Sequence, residues 1–148
     1  MISQGNSRIN KILMLFVIIN IIGDVGNVVF WFASPDSRGA SLNTSILASS
    51  VGVENALIVA SAFLLIVALI YSVAFYGLNK KLSWAPLLVI AISIVNRSLA
   101  LLIYFISPAF VFWAIWTIIL IVVAYLDFNK FKSSTEKQSK FDTKKNET

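Results

Sequence analysis

The chain has 148 residues, 58% of them hydrophobic and 13% charged, with a formal net charge of +5. A soluble domain usually carries about a quarter charged residues, so there is too little charge here to coat one, and the mean hydropathy of +0.84 agrees. Cys and His are absent. This removes thiolate and imidazole ligands for zinc, haem, iron–sulfur or copper, and with them disulfides and His- or Cys-based nucleophilic catalysis.

A membrane helix needs roughly 20 mainly apolar residues to cross about 30 Å of hydrocarbon. Four segments meet that length: 12–32, 53–76, 85–106 and 109–128. The expected fold is therefore all-α, a polytopic membrane protein with a single domain over 1–128 built as a bundle of four transmembrane helices. An outer loop spans 33–52. The first segment has the basic flank of a signal peptide, but it is longer than an h-region, is interrupted by Asp24 and lacks a small residue three before Ala33-Ser34. It is expected to be retained as a span.

Lys and Arg accumulate on cytoplasmic flanks. Arg8, Lys11, Lys80, Lys81, Lys130, Lys132, Lys137, Lys140, Lys144 and Lys145 all fall on one side of the four spans, against Arg38 on the other. The expected topology places both termini in the cytoplasm, with the protein integral to the plasma membrane. Lys80, Lys81, Lys130 and Lys132 form a basic edge at the lipid surface, and Trp31, Tyr104 and Trp113 mark the outer interface. The tail 129–148, rich in Lys, Ser and Thr without apolar periodicity, is expected to be disordered.

Spans one and three align at a constant offset of 73, with 19–35 (INIIGDVGNVVFWFASP) over 92–108 (ISIVNRSLALLIYFISP). Spans two and four align at an offset of 50 through VAFYGLNK and VAYLDFNK. The chain thus reads as two copies of one helical hairpin, related by a pseudo-twofold axis along the membrane normal. Cheap matching of Ile, Val, Leu and Phe between membrane helices accounts for much of the same pattern, and both readings stay open.

Polar residues inside the spans are costly and face the bundle interior. Span one carries Asn20, Gly23, Asp24, Asn27 and Trp31 on one helical face, and span three carries Ser93, Asn96, Arg97, Ala100 and Tyr104 at the same spacing. Asp24 and Arg97 each lie 12 residues into their span, roughly 18 Å from the inner boundary. Ser61 and Thr117, eight residues in from the outer boundary, reach about the same level. A midplane polar layer of Asp24, Arg97, Ser61 and Thr117, surrounded by Asn20, Asn27 and Asn96, is expected. A carboxylate opposite a guanidinium there either fixes helix packing or lines a route for an ion or solute.

In the outer loop, Asn43-Thr44-Ser45 matches the N-glycosylation pattern, and Leu42, Ile46 and Leu47 have the spacing of a short surface helix. Neither a Gly-rich phosphate loop nor a second midspan acid for a proton-sharing dyad is present. No metal site, cofactor or catalytic residue is expected, and no nucleic-acid binding. The expected function is that of a non-catalytic membrane protein, a subunit or scaffold whose partners are the bilayer and other membrane proteins or its own copies; a small oligomeric transporter or channel is the alternative.

Overall fold

A computed structural model describes the backbone of residues 8–33, 46–104 and 108–146, and the side chains of 8–33, 47–98 and 111–133. Arg38, Asn43 and Ser107 lie outside the described residues. The described chain is helical, without strands: α1 (Arg8–Ala33), α2 (Ile46–Val51), α3 (Val53–Asn79), α4 (Trp84–Tyr104) and α5 (Pro108–Asn146). Each long helix contains a long, mainly apolar run. Pro86 sits in the first turn of α4 and Pro108 opens α5, where a missing N–H breaks no intrahelical bond.

Among the described residues, α1, α3 and the Val111–Ser133 stretch of α5 are long and apolar enough to cross a membrane, while the described apolar stretch of α4, Trp84–Ser98, is shorter. α1 packs on α3, α3 on α4, α4 on α5 and α5 back on α1, with α2 resting on α3 and α4. The long helices therefore form a ring of antiparallel neighbours in which α1 and α4 oppose each other diagonally. Any up-and-down ring exchanges its two hairpins in this way, so the ring by itself does not separate a duplication from simple alternation.

The core is divided. Leu13, Val17, Val67, Tyr71, Ala74, Leu78, Ala85, Val89, Leu120 and Ala124 form one buried cluster at the end holding the α3–α4 turn. A smaller cluster of Val28, Trp31, Leu57, Ala60 and Leu64 closes the other end between α1 and α3. On α1, Asn20 and Asp24 are the buried residues between Val17 and Val28, so polar side chains separate the two apolar clusters.

Two glycines shape the connections. Gly52 breaks α2 from α3 with φ 84°, a left-handed conformation that suits a residue without Cβ. Gly77 lies where α4 comes closest to α3: a Cβ there would meet Trp84 Cη2 at 2.7 Å and Ala85 Cβ at 2.8 Å. The turn that follows satisfies the last carbonyls of α3 through Lys81 N–H to Leu78 O (3.1 Å) and Leu82 N–H to Gly77 O (2.9 Å), the pairing of a Schellman motif.

The tail differs from the expectation of disorder. α5 continues to Asn146, and no Gly or Pro interrupts 109–146.

Gly77→Ala is expected to lower the unfolding midpoint in detergent, at a cost of about 1–3 kcal/mol for overpacking against Trp84 and Ala85. Gly26→Ala is the control. Its Cβ would have nothing within 4 Å, so it should be neutral or stabilising by up to about 1 kcal/mol.

Candidate functional site: the buried polar layer

Exposure in this protein runs opposite to that of a soluble domain. The outward faces carry Ile22 (66% exposed), Leu69 (68%), Val29, Ile58, Val111 and Ile118, while Asn10, Asn20, Asp24, Ser61, Ser93, Asn96, Thr117 and Asp127 are buried. On α1 the buried stripe is Asn10, Leu13, Val17, Asn20, Asp24, Val28 and Trp31, a repeat of three and four residues that keeps one face inward. Polar and apolar residues share this stripe. Outward positions go mainly to apolar side chains, and the exposed Ser72 and Ser98 donate to Ala68 O and Ile94 O of their own helices.

Across the ring, α4 supplies Ser93, Asn96 and Arg97. The Arg97 Nε–H donates to Thr117 Oγ1 on α5 at 2.9 Å, and the Thr117 hydroxyl donates to its own helix at Trp113 O, 2.8 Å away. One hydroxyl hydrogen thus goes to the backbone, and a lone pair is left for the guanidinium. The guanidinium also lies over the Trp113 ring, 5.9 Å from its centroid, within range of a cation–π attraction. The same indole reaches α1, its Cη2 lying 3.8 Å from where a Cβ on Gly23 would be. Gly23 leaves room for that ring one residue before Asp24.

The carboxylate of Asp24 has the Asn96 amide and the Arg97 guanidinium as its polar neighbours from α4. One of its oxygens, Oδ2, is buried without a hydrogen-bond partner among the described residues, as is Ser61 Oγ on α3. α3 contributes a further member, the buried Tyr71, whose hydroxyl is 2.9 Å from Ser93 Oγ. Ser93 spends its own hydrogen on Val89 O at 2.6 Å, so Tyr71 is the donor of that pair. Asp24 and Arg97 both act electrostatically on the Tyr71 hydroxyl.

The structure thus brings Asp24, Asn96, Arg97 and Thr117 together. Asn20 is buried in the same stripe, but its amide donates to Phe16 O of its own helix at 2.8 Å, so it bonds within α1 rather than across the bundle. Ser61 is buried and Asn27 half-buried. Tyr71 was not legible as a member by depth, because a tyrosine reaches more than a turn from its own Cα; its place on the buried stripe Leu64, Val67, Tyr71, Ala74 is the signal that marks it.

A second polar contact lies at the basic end. Asn10 Nδ2 donates to Asp127 Oδ2 across α1 and α5 at 3.2 Å. Both residues extend stripes visible in the sequence, Asn10 below Leu13 and Asp127 below Thr117, Leu120 and Ala124. Phe16 and Trp116 meet edge-on between the same helices, with ring centroids 4.6 Å apart. Among the described residues, no group of His, Cys, Asp and Glu is suited to hold a metal. No protein-family model, curated protein or solved structure matches the chain.

Thr117→Val leaves the Arg97 Nε–H without its acceptor and is expected to cost about 1–3 kcal/mol in detergent unfolding. Tyr71→Phe removes a bond between neutral hydroxyls, and the average of about 0.6 kcal/mol for interhelical hydrogen bonds in membranes applies. The two midpoints, measured side by side, should rank in that order.

Proposed function

We propose that the chain is a small non-catalytic integral membrane protein that crosses the plasma membrane four times with both termini in the cytoplasm, and that it serves as a subunit or scaffold of a membrane complex. α4 is the third of these spans in chain order: its backbone helix of 21 residues corresponds to about 31 Å. In this reading the polar layer holds the helices in one register, and the bilayer and other membrane proteins or further copies of the chain are the partners. The observation that carries it is the way the layer's charges are engaged: Arg97 donates to Thr117, and its charge acts on the Asp24 carboxylate. A guanidinium committed to neighbouring helices is poorly placed to bind and release a solute, whereas it is well placed to fix α4 against α1 and α5.

A transporter or channel built around the same residues is the second reading. It is favoured by one specific feature, the unpartnered Asp24 Oδ2 and Ser61 Oγ inside the bundle, because buried oxygens without donors invite water or a polar solute.

Charge rearrangement separates the two readings. For a packing role, Asp24→Asn and Arg97→Gln are each expected to destabilise the protein by about 3 kcal/mol, since each leaves a lone charge in hydrocarbon. The exchange Asp24→Arg with Arg97→Asp should recover most of the expression and thermal stability that either single exchange loses. Purification in mild detergent then reports the partner. A defined set of co-purifying membrane proteins supports the subunit reading, whereas a homo-oligomer that conducts or exchanges solute in vesicles, and loses this in the neutral double variant, supports transport.

A further inference from the structure

We propose that the end of the bundle bearing the α3–α4 turn is a binding surface for the headgroups of anionic phospholipids. The inference rests on the membrane-spanning reading and adds a ligand to it. Three separate parts of the chain build this surface: Arg8 and Lys11 at the start of α1, Lys80 and Lys81 in the turn, and Lys130 and Lys132 on α5, all of them exposed. The Asn10–Asp127 hydrogen bond ties the first part to the third. The shared cluster of Leu13, Leu78, Ala85 and Ala124 brings the turn to the same level.

Two features go beyond an excess of lysine on one side. Asp127 is buried and accepts a hydrogen bond from Asn10, so this acid's carboxylate points into the bundle rather than into the basic rim. Lys81 has φ 56°, in the position of the Schellman turn where glycine fits without strain and where a side chain with a Cβ is disfavoured. The turn geometry therefore argues against a lysine at 81, and a role for the cation itself explains its presence.

A lipid fits better than a free anion because the rim is amphipathic. Tyr76, Trp84, Tyr125 and Leu126 are exposed near the lysines, and Val122 is exposed one turn further in on α5. Lys80 Nζ lies 5.8 Å from the centroid of the Tyr76 ring. Interfacial aromatics sit at headgroup level, so phosphate meets ammonium groups while the acyl chains run along the apolar helix faces. Each basic residue near an anionic surface contributes roughly a fivefold gain in binding.

The test is native mass spectrometry of the full chain, incorporated into nanodiscs of equal parts phosphatidylglycerol and phosphatidylcholine, counting lipids that remain bound on release. The wild type is expected to retain phosphatidylglycerol at least fivefold over phosphatidylcholine, and inorganic phosphate at 10 mM should not displace it. Lys80→Gln with Lys81→Gln is expected to reduce that enrichment tenfold or to parity, whereas Lys140→Gln with Lys144→Gln on the tail should leave it unchanged. Lys81→Gly gives a readout that does not depend on tolerance of a damaged turn: thermal stability rises as the left-handed strain is relieved, while lipid enrichment falls. Equal retention of the two lipids by the wild type, or unchanged enrichment in both Lys81 variants, overturns the proposal. So does displacement by phosphate, which identifies an anion site without lipid preference. Failure of the chain to enter nanodiscs at all is a different result and counts against the membrane-spanning reading itself.

Discussion

Hydrocarbon offers a polar side chain no hydrogen-bond partner, so every such group in a spanning helix has to find one inside the protein. Most of this architecture follows from that constraint. Asp24, Asn96, Arg97 and Thr117 come from three helices and are buried or half-buried together. Turning α1 by nearly half a turn would send Asp24 toward the face that now carries Ile22 and Val29. The rotation of each helix about its axis is thus set by a few polar residues rather than by shape alone, because Leu, Ile and Val pack almost as well in lipid as in a bundle interior. Some small polar side chains return to their own backbone instead, as Asn20 does to Phe16 and Ser72 to Ala68.

The layer is linked to the packing around it through Trp113. Its carbonyl receives the Thr117 hydroxyl, its ring lies under the Arg97 guanidinium, and its edge occupies the space beside Gly23. One indole therefore touches α1 and α4 while belonging to α5. The apolar clusters on either side close the two halves of the bundle, and the α3–α4 hairpin is pinned by the fit of Trp84 and Ala85 against Gly77. Rigid apolar packing above and below a polar layer favours a fixed arrangement of charges over a mobile one, in keeping with a structural role.

Much of this was legible in the sequence, for physical reasons that can be named. Apolar run length determines where a helix can be buried in hydrocarbon, so 12–32, 53–76 and 109–128 fall within observed helices, as does the described part of the third segment, 85–104. Spacing of three and four residues put Asn20 and Asp24 on one face of α1 and Asn96 and Arg97 on one face of α4. Counting residues from span ends gave the level of Asp24, Arg97 and Thr117. What escaped reflects the reach of long side chains and the treatment of boundaries. Tyr71 meets Ser93 through the length of its ring, which Cα depth ignores. Asp127 sits where an acid is cheap to solvate, so only its place on the stripe of Thr117, Leu120 and Ala124 marks its turn inward to Asn10. The continuation of α5 to Asn146 was hidden by a composition rich in Lys, Ser and Thr, which suits solvated coil and exposed helix alike.

The arrangement turns on α1 and α4 facing each other diagonally through Asp24 and Asn96. Because the chain has no cysteine, it is open to a clean cross-linking experiment. Cysteines introduced in pairs are treated in the membrane with a short bifunctional thiosulfonate, and linkage within the chain is read after proteolysis between the helices. The account predicts efficient linkage for Asp24→Cys with Asn96→Cys, and none for the outward pair Ile22→Cys with Ile94→Cys, whose parent residues are 66% and 52% exposed. Linkage of the outward pair in preference to the inward one would contradict the account, because it would mean that α1 and α4 turn their polar faces away from each other.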